Sequence, residues 1–198
     1  MSNYGTIITA NCTALFAGDP GERAEAIPAG VKGSALVLEA FGSEAELSPE
    51  GIKLDGQPET GPLGVIISLY ALHAALDDMI PTPFKSFKEL PGSMPYAGAF
   101  TNRTEQSLVP AVKRIAAGRR KIMENLGGSA APEGTGGDDA FVVRPLPKIG
   151  LCYIFYEADE DFPPSVTCLY SHNAHLFMPT DGLADVGEYT SKKILELI

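Results

Sequence analysis

The chain has no tryptophan, only three cysteines, and little positive charge: 15 Lys and Arg stand against 25 Asp and Glu, a formal net charge of -10. The missing tryptophan decides little. The shortage of bases excludes a generic nucleic-acid binder, because phosphate neutralisation needs concentrated Lys and Arg. The cysteines Cys12, Cys152 and Cys168 are odd in number and lack the short spacings of zinc or redox motifs. They read as free, partly buried thiols in a reducing cytoplasm. The longest apolar run, Val65 to Leu76, contains His73 and falls well short of the about 20 residues a membrane span needs. Met1 to Ala17 has no basic start, and Asn3, Thr6, Thr9, Asn11 and Thr13 interrupt its apolar residues, so no signal peptide and no membrane contact are expected. Walker and dinucleotide-binding glycine loops are also missing, since Gly127-Gly128 and Gly134 to Gly137 lack the strand–turn–helix setting.

Glycine and proline, by contrast, are plentiful, with 21 and 16 in 198 residues. That density argues against a helical bundle and for an α+β body with punctuated connections. The expected architecture is a single α+β domain: one mixed or antiparallel sheet of four to six strands packed against two or three helices. Residues 1–30 are ambiguous, because Thr6, Ile7, Ile8 and Thr9 are β-branched and weaken a helix over Tyr4 to Phe16. Ser34 to Phe41, Glu44 to Leu47 and Gly51 to Leu54 read as a small antiparallel meander. Pro62 to Asp78 reads as a helix with Pro62 in its first turn and Pro81 and Pro83 beyond its end. Ser107 to Leu126 reads as another, with an apolar stripe through Leu108, Val112, Ile115 and Ile122 and a Gly127-Gly128 cap. Ala140 to Val143, Leu151 to Tyr156 and Val166 to Tyr170 are strand candidates, as is the shorter Leu176 to Met178. A terminal helix follows, capped by Thr180 or Asp181.

Four features carry possible chemistry. Glu157, Asp159, Glu160 and Asp161 follow the strongest strand, where loops beyond strand ends favour ligands. Such carboxylates can hold a divalent cation or divide acid and base roles, and Asp159 can equally cap a turn. Cys168, His172 and His175 are transition-metal ligand types within eight residues, though Ser171-His172-Asn173 also reads as turn chemistry. His73, four residues before Asp77 on a helix, is either an intrahelical partner or an acid–base group. The long segment Thr82 to Asn102 has no regular period and carries Phe84, Phe87, Tyr96 and Phe100; segments of this kind are often functional. A fifth feature, the bases Lys113, Arg114, Arg119, Arg120 and Lys121, suits the dipole at a helix C-terminus and alternatively offers a site to an anionic partner.

These residues resemble the prokaryotic domain family DUF3786. The likeness lies in Leu146-Pro147-Lys148-Ile149, Leu151 to Glu157, Asp159 to Pro164, Leu169, Pro179 and the terminal helix. Upstream it includes Tyr70-Ala71-Leu72-His73, Phe84 to Gly92 and Phe100, and it runs from about Lys32 to Ile198. The family is uncharacterised. Some members resemble iron–sulphur or corrinoid-related proteins and carry an additional cysteine-rich segment, which this chain lacks. Relatives often have a Phe-Asp-Ser-like stretch where this chain has Leu169-Tyr170-Ser171-His172, and Gly-Asp-Glu where it has Ala158-Asp159-Glu160.

The expected function is that of a soluble accessory protein binding a small molecule or metal ion through Asp159, Glu160, Asp161, His73 and Phe87, with no cofactor named. The alternatives are a structural or protein-interaction domain, homodimeric by generic expectation, and a hydrolase-like enzyme using Asp159, Glu160 and His73.

Overall fold

A computed structural model describes residues 3–198, the side chain of Pro20 excepted; Met1 and Ser2, the start of the stretch tested for a signal peptide, lie outside it. The fold is α+β, as expected, but the strands divide into two antiparallel five-stranded sheets rather than one. Among the described residues no helix is long and apolar enough to cross a membrane.

The ambiguous start is helical. Helix α1 (Asn3–Phe16) buries Ile8, Cys12 and Leu15 along one face, and α2 (Pro20–Ala26) follows, its first amides donating to the Asp19 carboxylate. Tertiary packing against the helix that begins at Pro62 and against the first sheet outweighs the β-branched residues of α1.

The first sheet is a meander, β1 (Gly30–Lys32), β2 (Ala35–Ala40), β3 (Ser43–Ser48), β4 (Gly51–Leu54) and β5 (Gln57–Glu59), in that order. Alternation places Leu36, Leu38, Ala45, Leu47 and Ile52 in the core. Two of its turns, Phe41-Gly42 and Asp55-Gly56, hold both residues at positive φ, the conformation that suits two-residue hairpins. Phe41 also ties the sheets together, its amide donating to the carbonyl of Pro145 at 2.7 Å.

Helix α3 (Pro62–His73) is shorter than expected and ends five residues before Asp78. Tertiary partners take over from the next helical turn. The amide of Ala75 donates to Leu176, and the amine of Lys148 donates to the carbonyls of Ala75 and Leu76 at 3.0 and 3.2 Å. Lys148 is only 5 % exposed and lies over the Phe177 ring.

The segment after α3 is pinned throughout. Asn173 donates to the Asp78 carbonyl and accepts from the Ile80 amide, and the His172 amide donates to the Ile80 carbonyl. Strand β6 (Lys85–Ser86) is cut short when Ser86 and Glu89 form a reciprocal cap on the next turn. After a brief helix α4 (Ala97–Phe100), the chain widens into a π-helix at Thr101–Glu105, closed by the Gln106 amide on the Thr101 carbonyl at 2.9 Å. A 3₁₀ turn containing Pro110 then delays α5 to Val112–Asn125, five residues later than the apolar stripe implies. Its end is capped as expected: Gly127 adopts positive φ, and the Gly128 amide donates to Met123 at 2.7 Å.

The second sheet has the order β6, β10 (Ser165–Tyr170), β9 (Ile149–Tyr156), β8 (Asp139–Leu146) and β7 (Ser129–Ala130). Strand β9 is central and buried from Ile149 to Phe155. The expected strand at Leu176 to Met178 does not form; Leu176 ends a 3₁₀ turn, because Asn173 anchors the chain to the 78–80 segment. The terminal helix α6 (Thr180–Glu196) packs on α3, α4, α5 and the π-helix.

Candidate functional site

The acidic connection between β9 and β10 is a self-contained turn. The Asp159 carboxylate accepts from the amides of Asp161 and Phe162 at 2.9 and 2.7 Å, and the Asp159 amide donates back to Phe162. Asp159, Glu160 and Asp161 are exposed. His73 is exposed too and closes α3 beside the β8–β9 turn, where Lys148 reaches Ala75. It therefore sits at one end of β9 and the acidic turn at the other, about 23 Å apart for a strand of this length. The structure does not bring these residues together.

The Cys168, His172 and His175 set is likewise dispersed into separate tasks. Cys168 is buried, and burial first, then the Glu105 carboxylate, pushes its thiol well above the ordinary range, away from the thiolate a metal needs. His172 holds the Pro83 carbonyl at 3.1 Å. The Nδ1 atom of His175 is buried without a hydrogen-bond partner among the described residues, and burial, Lys85 and His172 hold its pKa below the usual value. Among the described residues no group of three or more His, Cys, Asp or Glu side chains is gathered as a metal site requires.

Phe87 is different. It is buried and stacks on Phe100, with centroids 4.4 Å apart and planes at 10°, and both rings tilt against Tyr170. This cluster backs a cavity of about 210 Å³ between the Thr82 to Asn102 segment and α6. Tyr96, Ala99 and Phe100 form its apolar side, and Arg103, Asp181, Asp185 and Glu188 its charged side. The three acids follow a four-then-three spacing, which aligns them on one face of α6.

The π-helix positions Arg103. Its widened turn sends Arg103 outward to Glu188 at 3.2 Å and Glu105 inward, where the carboxylate accepts from the Cys168 amide at 3.1 Å. Behind them lies a buried polar group. The Ser191 hydroxyl donates to the Thr104 carbonyl and meets the Tyr153 hydroxyl at 3.1 Å, and Tyr170 donates to the Leu183 carbonyl at 2.6 Å. The Thr104 hydroxyl is buried with no hydrogen-bond partner among the described residues. Gly187 permits this closeness: a Cβ there would stand 2.6 Å from Phe100 and 2.8 Å from the Tyr170 hydroxyl. Single π turns recur at functional sites because they displace side chains from the regular helical positions.

The cavity's acids are unequally satisfied. Burial opposes ionisation of Glu188, yet the bonds from Lys192 (2.7 Å) and Arg103 outweigh it and hold the carboxyl below its usual value. Asp181 accepts from the Gly182 amide. Asp185 receives no hydrogen bond and no ion pair from the described residues; burial, then Glu188 and Asp181, push its carboxyl above the usual value despite partial relief from Arg103 and Lys192. A carboxylate without a partner, beside aromatic surface, is suited to hold a positive group.

The residue pattern points to the aromatic segment with Phe87, Tyr96 and Phe100 but not to Arg103, Asp185 and Glu188. The Asp181, Asp185, Glu188 spacing was available as a signal. The π turn that aims Arg103 leaves no recognisable pattern.

A family model described as a domain of unknown function, DUF3786, matches residues 19–193 and so includes α2, upstream of where the motif likeness begins. No curated protein and no solved structure matches the chain.

Proposed function

The chain belongs to the DUF3786 family, and from that premise we propose that it is a cytoplasmic accessory protein that binds a small organic cation in the cleft between the aromatic segment and α6. One observation carries this reading: the unpartnered Asp185 carboxylate faces the same cavity as the rings of Tyr96 and Phe100. At about 210 Å³ the cavity is smaller than the roughly 300–1,000 Å³ of drug-sized sites, which fits a ligand of few heavy atoms. The aromatic segment thus keeps the binding role expected of it, while the acids come from α6 rather than from Asp159, Glu160 and Asp161. The three free thiols, all buried, support the cytoplasmic location.

Phenethylamine serves as the probe, with 2-phenylethanol and phenylacetate as its neutral and anionic counterparts. Titration followed by amide resonances is expected to give saturable shifts at residues 96–103 and 181–188 with the amine alone, at least tenfold weaker on Asp185→Asn. Equal binding of the three probes, or an unchanged affinity on Asp185→Asn, rejects the cationic ligand. No saturable shift at these residues with any probe rejects the cleft.

A further inference from the structure

A second cavity, of about 280 Å³, lies where the start of α5 meets the β9–β10 connection, and it shares no lining residue with the cleft on α6. Its walls are apolar: Val109 and Pro110 from the 3₁₀ turn and Pro164 from the connection. Its charged groups are Lys113, Arg114 and the single carboxylate of Glu157. Of the five bases of this helix two are ion-paired, and among the described residues Lys113, Arg114 and Lys121 are not. Arg119 is paired with Asp139 at 3.0 Å and Arg120 with Glu124 at 3.3 Å. Lys113 and Arg114, the two that line the cavity, form no ion pair among the described residues, in a chain with ten more acids than bases. Among the described residues these two cations thus stand without an ion-pair partner beside an apolar wall.

We infer that this cavity is a binding site for an amphipathic monocarboxylate, its apolar body against Val109, Pro110 and Pro164 and its carboxylate between Lys113 and Arg114. Three features of the cavity select that class. Two cations opposed by Glu157 leave one positive charge in excess, which matches a monoanion better than a phosphate dianion. Apolar walls favour a ligand with a hydrocarbon part over a bare ion. The guanidinium of Arg114 is geometrically suited to a planar carboxylate. The connection expected to hold a cation through its acids instead supplies one wall of an anion site, because Asp159 spends its carboxylate on its own turn.

Hexanoate is the test ligand, with acetate, inorganic phosphate and hexylamine beside it. The full chain is titrated and followed by amide resonances and calorimetry. Hexanoate is expected to shift residues 109–114 and 157–164 saturably, at least tenfold more tightly than the other three. The double variant Lys113→Ala/Arg114→Ala loses at least tenfold in hexanoate affinity; both side chains are exposed, and an unchanged melting temperature confirms that the fold is intact. Equal binding of phosphate or acetate overturns the amphipathic class. An unaltered affinity in the double variant, or no saturable shift at these residues, overturns the site. Single variants Lys113→Gln and Arg114→Gln decide the matter if the double variant melts early.

Discussion

The two cavities differ in how each handles charge, and the difference runs against the chain as a whole. The cleft on α6 has more carboxylates than it can neutralise, and rigid parts back it: stacked Phe87 and Phe100, the Tyr170 ring and a buried hydroxyl network. The cavity at the start of α5 has cations without partners and a wall from an exposed connection held by one Asp turn. A net charge of -10 therefore says little about the sign of any one site. What matters is which side chains find partners inside the fold. Among the described residues Glu188 finds two and Asp185 none; Arg119 finds one and Lys113 none.

The sharpest way to separate the two regions is Gly187→Ala. The added Cβ meets Phe100, Tyr170 and the Thr104 hydroxyl, all within 3 Å, in a buried setting with little room to give. Overpacking of this kind costs about 1–3 kcal/mol. Each kcal/mol lowers the melting temperature of a chain this size by about 2–4 °C. Phenethylamine affinity is expected to fall with it while hexanoate affinity holds. Thermal melts and the two titrations check this, and a parallel loss of both ligands breaks the claim that the cavities are independent.

Next comes the pH dependence of Asp185→Asn. The carboxyl of Asp185 is raised above its unfolded value of 3.8, so the protonated form suits the fold better and ionisation withdraws stability as pH rises through the folded value. The Asn variant is therefore expected to be slightly more stable than the parent at pH 7, with the gap closing as pH falls toward 3.8 and below. Urea unfolding across that range reads it directly. A variant less stable at neutral pH means that Asp185 already has a cationic partner.

Glu157→Gln has the smallest expected effect. Removing the one carboxylate of the α5 cavity strengthens hexanoate binding a few-fold and leaves phenethylamine unchanged, by calorimetry.

Much of the framework was visible from residue order. Leu151 to Tyr156 is an unbroken apolar run because β9 is covered on both faces, and Pro62 marks the start of α3 because the first helical turn needs no amide hydrogen there. Local patterning failed where distant residues decide. The end of α3 is set by Lys148, more than seventy residues away, and the joining of the two sheets depends on contacts such as Phe41 with Pro145. The functional surface followed the same rule. Phe87 was visible as an aromatic in an aperiodic segment, but its role is to support Phe100 from behind. Asp185 and Glu188 were overlooked because the apolar stripe of α6, through Leu183, Val186 and Ile194, dominates its pattern. Asp159, Glu160 and Asp161 drew attention by charge density, which in an isolated turn reflects exposure to water.

Glu105 has a consequence beyond the site. Among the described residues strand β6 pairs with β10 only at Leu169 and Tyr170, so the rest of that margin has hydrogen-bonding groups to offer. By taking the Cys168 amide, the Glu105 side chain occupies the next position with an acceptor that cannot continue a ladder. The widened turn that aims Arg103 at Glu188 thus also guards the sheet against strand-to-strand association with other molecules. Loss of that guard would be felt first in colloidal behaviour at high concentration, before any loss of binding.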